Sequence, residues 1–242
     1  MPMGDSMKLY ITRHGQVGVN AEYLNGNAFL PRGEMNLSDL GRAQAAMLGK
    51  FLAKRGFSGK ILSSPLWRTM ETAEAIAAET GSVIVPTPFM HEIFNDQEIL
   101  DAYRGLTIEE LKERYPHTAK DATIEYPWWP KQTETGKDVL ARVSAGIDAL
   151  LAELGDTDEE ILLVGHGASS GEADEYLNLN PDGMLWNCCL SMYNSKNPRE
   201  SFGKNVSFLN EDMITNNKLK CSDYTFDEKE LDSFAAQRRL PD

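Results

Sequence analysis

The sequence predicts an α/β fold, a mostly parallel sheet covered by helices on both faces. Three observations lead there. Short apolar, β-branched segments alternate with longer stretches whose apolar residues recur at helical spacing. Glycine, proline and small polar residues punctuate the joins. The residues able to hold an anion follow directly after the apolar segments, where an open parallel sheet places its ligand.

Lys8 to Arg13 (KLYITR) reads as a buried strand ending in Arg-His-Gly, and Lys60 to Ser63 as a second strand. Between them Ser38 caps a helix with the stripe Leu40, Gln44, Met47, Leu48, Phe51 and Leu52, stopped by Gly56. Pro65 stands at the first position of a second helix, along which Leu66, Met70, Ala73 and Ala77 recur until Gly81. Val83 to Val85 makes a third strand. Pro86 to Thr135 breaks the alternation and reads as an insertion over the pocket, with a short helix at Ile108 to Tyr115. Its Trp128 and Trp129 wall the pocket or, by the stronger reading, anchor their own loop. Val139, Val143, Ile147, Leu150, Leu151 and Leu154 mark a long helix, and after the polar GDTDEE turn Ile161 to His166 is the clearest buried strand.

The 242 residues, 41% of them apolar, suit one domain spanning 7–242, with the insertion at about 86–135 and a polar extension at about 210–242. The extension carries a short helix at Asp227 to Arg239, and residues 1–6 read as a leader, disordered or left by expression. The 19 Gly and 11 Pro are scattered, which excludes a collagenous or low-complexity chain, and no internal repeat occurs. Apolar runs such as Ile161 to Val164 fall far short of the ~20 residues of a membrane helix. Three cysteines, two of them adjacent at Cys188 and Cys189, give no disulfide framework and fit a cytoplasmic location. A formal charge of −13 repels nucleic acid and anionic lipid, so neither is an expected partner. The same field opposes a phosphorylated metabolite, so an anion site must be a local cluster of Arg, His and backbone N–H groups.

Arg13-His14-Gly15 suits such a cluster: a nucleophilic histidine, a planar guanidinium fork for phosphate oxygens, and a glycine that lets the backbone turn or approach closely. A surface Arg-His beside a turn looks the same, but the position straight after an apolar strand weighs against that. Arg68 lies in the first turn after Ser64-Pro65, where its guanidinium and the helix amides face one anion; alone it equally suits a solvated arginine. His166 ends a strand between two glycines, and sharing a rim with Arg13 and His14 favours phosphate binding over a histidine satisfied by a carbonyl.

These residues sit in longer blocks: RHGQVGVN at Arg13 to Asn20, NLSDLGRAQA at Asn36 to Ala45, LSSPLWRTMETAEAI at Leu62 to Ile76, and LLVGHGAS at Leu162 to Ser169. In this order they resemble the histidine phosphatase superfamily, phosphoglycerate mutase-like branch. The likeness runs from about Lys8 to about Leu209, and NCCLSMYN at Asn187 to Asn194 is similar to the family's late strand. The resemblance implies a three-layer α/β/α sandwich with an inserted lid and a phosphohistidine on His14. It also implies Arg13, Arg68 and His166 around the phosphate, and Asn20, Gly15 and Gly167 on the substrate side. Val17 departs from the pattern, which usually carries Ser or Thr there.

The chemistry also needs a group that protonates the departing oxygen and then activates water. Glu92, in the PFMHEIF segment after the third strand, is the candidate, although His91 replaces the apolar residue that precedes the family's acid; Asp96, Glu98 and Asp101 lie close enough to substitute. His91-Glu92 is no zinc signature, because HExxH needs histidine at position 95, which is Asn95, so no metal or other cofactor is expected. His117 reads as a surface residue.

Gly167 to Gly171 satisfies G-x-S-x-G, but no histidine follows His166, so Ser169 lacks the base of a hydrolase triad in the required order. Gly165, Gly167 and Gly171 miss the dinucleotide spacing by one. The resemblance ties a mutase to a Glu-Arg-His-x-Tyr acid segment and further arginines; here the segment is Glu92-Ile93-Phe94-Asn95-Asp96. The expectation is a monomeric or homodimeric phosphomonoesterase acting on a small phosphorylated substrate. Two alternatives stand beside it. One is a mutase, favoured by Glu134, Lys137 and Asp138 in ETGKDVLARV; the other is a silent member that binds a phosphorylated ligand or protein.

Overall fold

A computed structural model describes residues 6–17, 34–179, 186–198 and 201. Along the chain run β1 (Lys8–Arg13), α1 (Asp39–Lys54), β2 (Lys60–Ser63), α2 (Trp67–Thr80), β3 (Ile84–Pro86), α3 (Gln97–Ala102), α4 (Ile108–Arg114), α5 (Gly136–Leu154), β4 (Glu160–Gly165), α6 (Gly167–Tyr176) and β5 (Ser191–Asn194). The five strands form one sheet in the order β3-β2-β4-β1-β5, parallel except for β5, which closes the β1 edge antiparallel. Its polar-tolerant edge position suits a short strand paired on one side only.

Successive residues of a strand point to opposite faces, and the buried centre of the sheet therefore carries two cores. Leu162 and Val164 of β4 join Leu48 and Phe51 of α1 and Met70 and Ile76 of α2 on one face. Ile161 and Leu163 join Leu9 and Ile11 of β1 with Val139, Val143 and Ile147 of α5 and Ala173 of α6 on the other. The result is the three-layer α/β/α sandwich. A satellite cluster of Leu66, Phe94, Leu100, Tyr103 and Trp128 lies under the insertion.

Helix ends follow local chemistry. Ser38 Oγ accepts from Gly41 N and starts α1, whereas Gly81 in the left-handed region (φ 73°) stops α2. Several boundaries differ from expectation by one or two residues, three of them instructively. α2 begins at Trp67 rather than at Pro65, because the buried carboxylate of Glu34 takes the Trp67 amide at 3.1 Å. β3 starts at Ile84, and Val83 is left outside the strand, 45% exposed. The late strand ends at Gly165, since His166 is the N-cap of α6, its amide donating to Ser169 Oγ at 3.0 Å. The leader through residue 5 and the extension, with Asp227 to Arg239, lie outside the described residues.

Candidate active site

Three parallel strands deliver the site from their carboxyl ends. The register pairs Arg13 with Gly165 and Ser63 with Val164, so the residues that follow emerge side by side. Two hydrogen bonds carry this alignment one residue past the strands: His14 N donates to Gly165 O and Ser64 N to Val164 O, each at 3.0 Å.

His14 is buried, its ring centroid 5.2 Å from that of His166. Its Nδ1 lies 2.6 Å from Gly15 O, a carbonyl that can only accept, so the proton sits on Nδ1 and the Nε2 lone pair is left for the reaction. Burial, then the Arg68 and Arg13 guanidinium groups, hold the His14 pKa well below the ordinary histidine value, so the ring is neutral near pH 7. His166 is held low by burial, then by Arg68 and His14; its Nε2 lies 2.9 Å from Ser64 Oγ, and its buried Nδ1 has no hydrogen-bond partner among the described residues.

Arg68, in the first turn of α2, is half-buried among Glu34, Glu92, Tyr103 and Arg13, the groups that act on its charge after desolvation itself. Glu34 Oε1 accepts from the Tyr103 hydroxyl, and burial raises the Glu34 pKa. Glu92 reaches the N-terminus of α6: its Oε1 accepts from Ala168 N at 3.3 Å and Ile93 N at 2.9 Å. Gly167 stands between the charges, since a Cβ there would meet Arg13 Cζ and Glu92 Oε2, both at 3.9 Å.

Gly15 serves a close approach: its amide donates to Thr72 Oγ1 at 3.0 Å, and a Cβ would lie 2.4 Å from Gly41 O. Of the competing acids, Asp96 caps α3 through Glu98 N and Ile99 N, and Asp101 accepts from Gln97 Nε2. Val17 packs against the core as a bridge partner of Leu37. Asn20 lies outside the described residues. Ser169 Oγ donates to Met90 O and Ser170 Oγ to Thr12 O, so both hydroxyls tie α6 to the sheet. Trp128 is an anchor, buried with its Nε1 donating to Leu106 O at 3.0 Å. Asp138 caps α5 at Thr135, and half-exposed His117 pairs with Glu74 at 2.6 Å.

The sequence reading missed Glu34, Ser64, Thr72 and Tyr103, and the bracket behind Glu92. There Arg142 donates to Phe89 O at 2.6 Å, to His91 O at 2.8 Å and to Glu134 Oε1 at 2.8 Å. Glu134 in turn accepts from Phe94 N at 3.3 Å and stands 3.7 Å from His91 Nδ1. Arg142 lies more than fifty positions from Phe89 and His91, so no local pattern signals the pairing.

The histidine phosphatase superfamily (branch 1) model matches residues 9–191. The chain belongs to that superfamily. It is 29% identical over 164 residues, 67% of its length, to the bifunctional protein Rv2228c of Mycobacterium tuberculosis, and that alignment spans 42% of the relative. It is 29% identical over 165 residues to a glucosyl-3-phosphoglycerate phosphatase of Mycolicibacterium vanbaalenii, covering 66% of this chain and 69% of that protein. A solved mycobacterial glucosyl-3-phosphoglycerate phosphatase superposes with a TM-score of 0.52 at 25% identity, covering 78% of this chain and 90% of the other. Superfamily membership agrees with the ordered blocks read from the sequence, and the fold of these relatives with the three-layer sandwich.

Proposed function

We propose that this chain is a phosphomonoesterase that forms a phosphohistidine on His14. The observation that carries the proposal is the Nδ1 to Gly15 O hydrogen bond of 2.6 Å on a buried, neutral imidazole set among Arg13, Arg68 and His166. The Nε2 lone pair attacks phosphorus in line, and the ester P–O bond breaks as the Glu92 carboxyl gives a proton to the departing oxygen and is left as the carboxylate. Arg13 and Arg68 bind the equatorial oxygens with planar forks, and His166 adds an imidazole donor. The Glu92 carboxylate then takes a proton from water. The hydroxide forms the new P–O bond, the P–N bond breaks with its electron pair returning to Nε2, and phosphate leaves.

The named phosphatases among the relatives support hydrolysis over transfer to a second acceptor. So does the cleft beside Arg68, whose described lining carries Glu92 and Asp96 and no cation other than Arg68 for a glycerate carboxylate. The test is a rapid base quench after mixing with a radiolabelled phosphoester, because phosphohistidine survives base and is lost in acid. Label on the wild-type chain, none on His14→Ala, and stoichiometric free phosphate agree with the proposal. Label that passes to 2- or 3-phosphoglycerate without free phosphate makes it a mutase; no label and no product leave a binding protein.

A further inference from the structure

The cleft that opens from the phosphate cluster carries a statement about the other half of the substrate. Its volume is about 130 Å³. Arg68 and Glu92 form one end, and Met35, Leu66, Ile93, Phe94, Ile99 and Tyr103 make the rest predominantly apolar. We propose, on the phosphatase reading above, that the leaving group is an uncharged hydrocarbon about the size of one six-membered ring, as in a benzyl or compact branched-alkyl phosphate.

Size is the first argument. A cavity of roughly 150 Å³ lined by aliphatic and aromatic side chains holds one benzene, so the described cleft matches a single ring. Lining chemistry is the second. Tyr103 is buried with its hydroxyl donated to Glu34, so its ring backs the cleft wall as an apolar support. Phe94 stands edge-on to it with centroids 5.0 Å apart, and Tyr103 is backed by Trp128 and Trp129 at 5.6 and 5.2 Å, which makes that wall stiff. Ile99 is 47% exposed on the short helix α3, an apolar side chain at the rim with no core duty. A ring seated in the cleft covers it.

Polarity is the third argument. A polyhydroxylated leaving group needs several free donors and acceptors. Asp96 Oδ1, on the rim, accepts from the Glu98 and Ile99 amides at 2.9 and 3.1 Å, and Glu92 Oε1 from Ile93 and Ala168, so each carboxyl has one oxygen already engaged by backbone. The Asp96 carboxylate repels a carboxylated leaving group, and Asn95 alone is left as a neutral polar lining side chain among the described residues. Buried hydroxyls without partners are penalised more than a missing methylene.

The experiment compares benzyl phosphate with glycerol 3-phosphate, both primary alkyl esters of similar intrinsic reactivity, and with 3-phosphoglycerate, on the full chain. Burying the ring predicts a kcat/KM for benzyl phosphate about 30-fold above that for glycerol 3-phosphate, with 3-phosphoglycerate lower still. Ile99→Asn, at a half-exposed position, narrows the benzyl-to-glycerol ratio to below about tenfold. A ratio near one, a preference for 3-phosphoglycerate, or a ratio untouched by Ile99→Asn overturns the inference while leaving the phosphatase intact. If no ester releases phosphate, the phosphatase reading fails, and calorimetry with non-hydrolysable benzylphosphonate and methylphosphonate decides the cleft separately. At least tenfold tighter benzylphosphonate binding supports the apolar seat, and equal affinities refute it.

Discussion

Gly15→Ala tests the packing on which nucleophile placement rests. The added Cβ would stand 2.4 Å from Gly41 O, 3.0 Å from Gly41 C and 3.1 Å from Gly41 Cα, all of them backbone. Gly41 cannot rotate aside: its amide is held by Ser38 Oγ at 3.0 Å, and its own hydrogen lies against Gln16, where a Cβ would meet the carbonyl oxygen at 2.0 Å. The first contact falls about 1 Å inside ordinary van der Waals separation, so the end of β1 must shift by about that much. His14 is the preceding residue, and a 1 Å displacement of a reacting group costs on the order of 10²-fold in rate. Overpacking of this kind costs about 1–3 kcal/mol, which for a chain this long lowers Tm by roughly 3–10 °C. The assays are scanning calorimetry and single-turnover formation of the phosphoenzyme. Gly81→Ala is the control, because Gly81 has φ 73° with open space around it: it loses stability through backbone strain and keeps the rate. A Gly15→Ala chain with wild-type Tm and rate would refute the reasoning.

Arg142→Ala should lower kcat tenfold or more with KM nearly unchanged, since it unties Phe89 O and His91 O behind Glu92 rather than any substrate contact; Arg142→Lys should rescue poorly because one ammonium cannot span both carbonyls and Glu134. Equal kcat in all three chains would show the bracket to be dispensable. Ser64→Ala leaves His166 Nε2 without its 2.9 Å partner and should cost about 1–3 kcal/mol, read as a lower urea midpoint together with weaker inorganic phosphate binding by calorimetry. Stability should fall with acid below pH 6.5. His91 has its pKa lowered by burial to about 4, and the folded pKa of His14 and His166 is also depressed. The stability these neutral rings hold above the unfolded pKa is therefore lost as pH falls towards the folded one, about 1.4 kcal/mol per pH unit for His91 down to pH 4. Asp174 opposes this slope: burial pushes it up to about 7, so its contribution is present at low pH and lost as pH rises to 7. Asp174→Asn should thus steepen the acid loss and raise Tm at pH 8, and identical Tm-against-pH curves would contradict both signs.

What was legible from the sequence was what local chemistry decides. β1 and β2 run over the expected residues, Ser38 caps α1, and Gly81 ends α2, because alternating apolar runs, an N-cap hydroxyl and a left-handed glycine each act within a few residues. The strand-end logic likewise places Arg13, His14 and His166 around one rim, since parallel register carries one residue of precision across β2, β4 and β1. What was hidden depends on contacts distant in sequence. Glu34 fixes where α2 begins from 33 positions upstream, and Arg142 clamps a loop some fifty positions before it. Helix α3 has six residues and a single buried side chain, Leu100, so no periodic stripe announces it; an Asp96 cap is its main signal.

The charge problem posed by the composition is resolved inside the site rather than on the surface. A chain of net −13 repels a phosphoester at long range, yet Arg13 and Arg68 are carried half-buried on a strand end and a helix start beside the buried His14 and His166. Burial first, and then the Arg68 charge beside both rings, keeps both histidines neutral. Glu34 offsets the Arg68 charge. An entering dianion reverses the sign of the local field. On the proposed mechanism His166 protonates and donates, whereas His14, its Nδ1 proton bound by Gly15 O, presents the Nε2 lone pair to phosphorus. Two imidazoles with similar burial are thereby sorted into nucleophile and donor by one carbonyl and one hydroxyl, and replacing Ser64 should disturb the second role and spare the first.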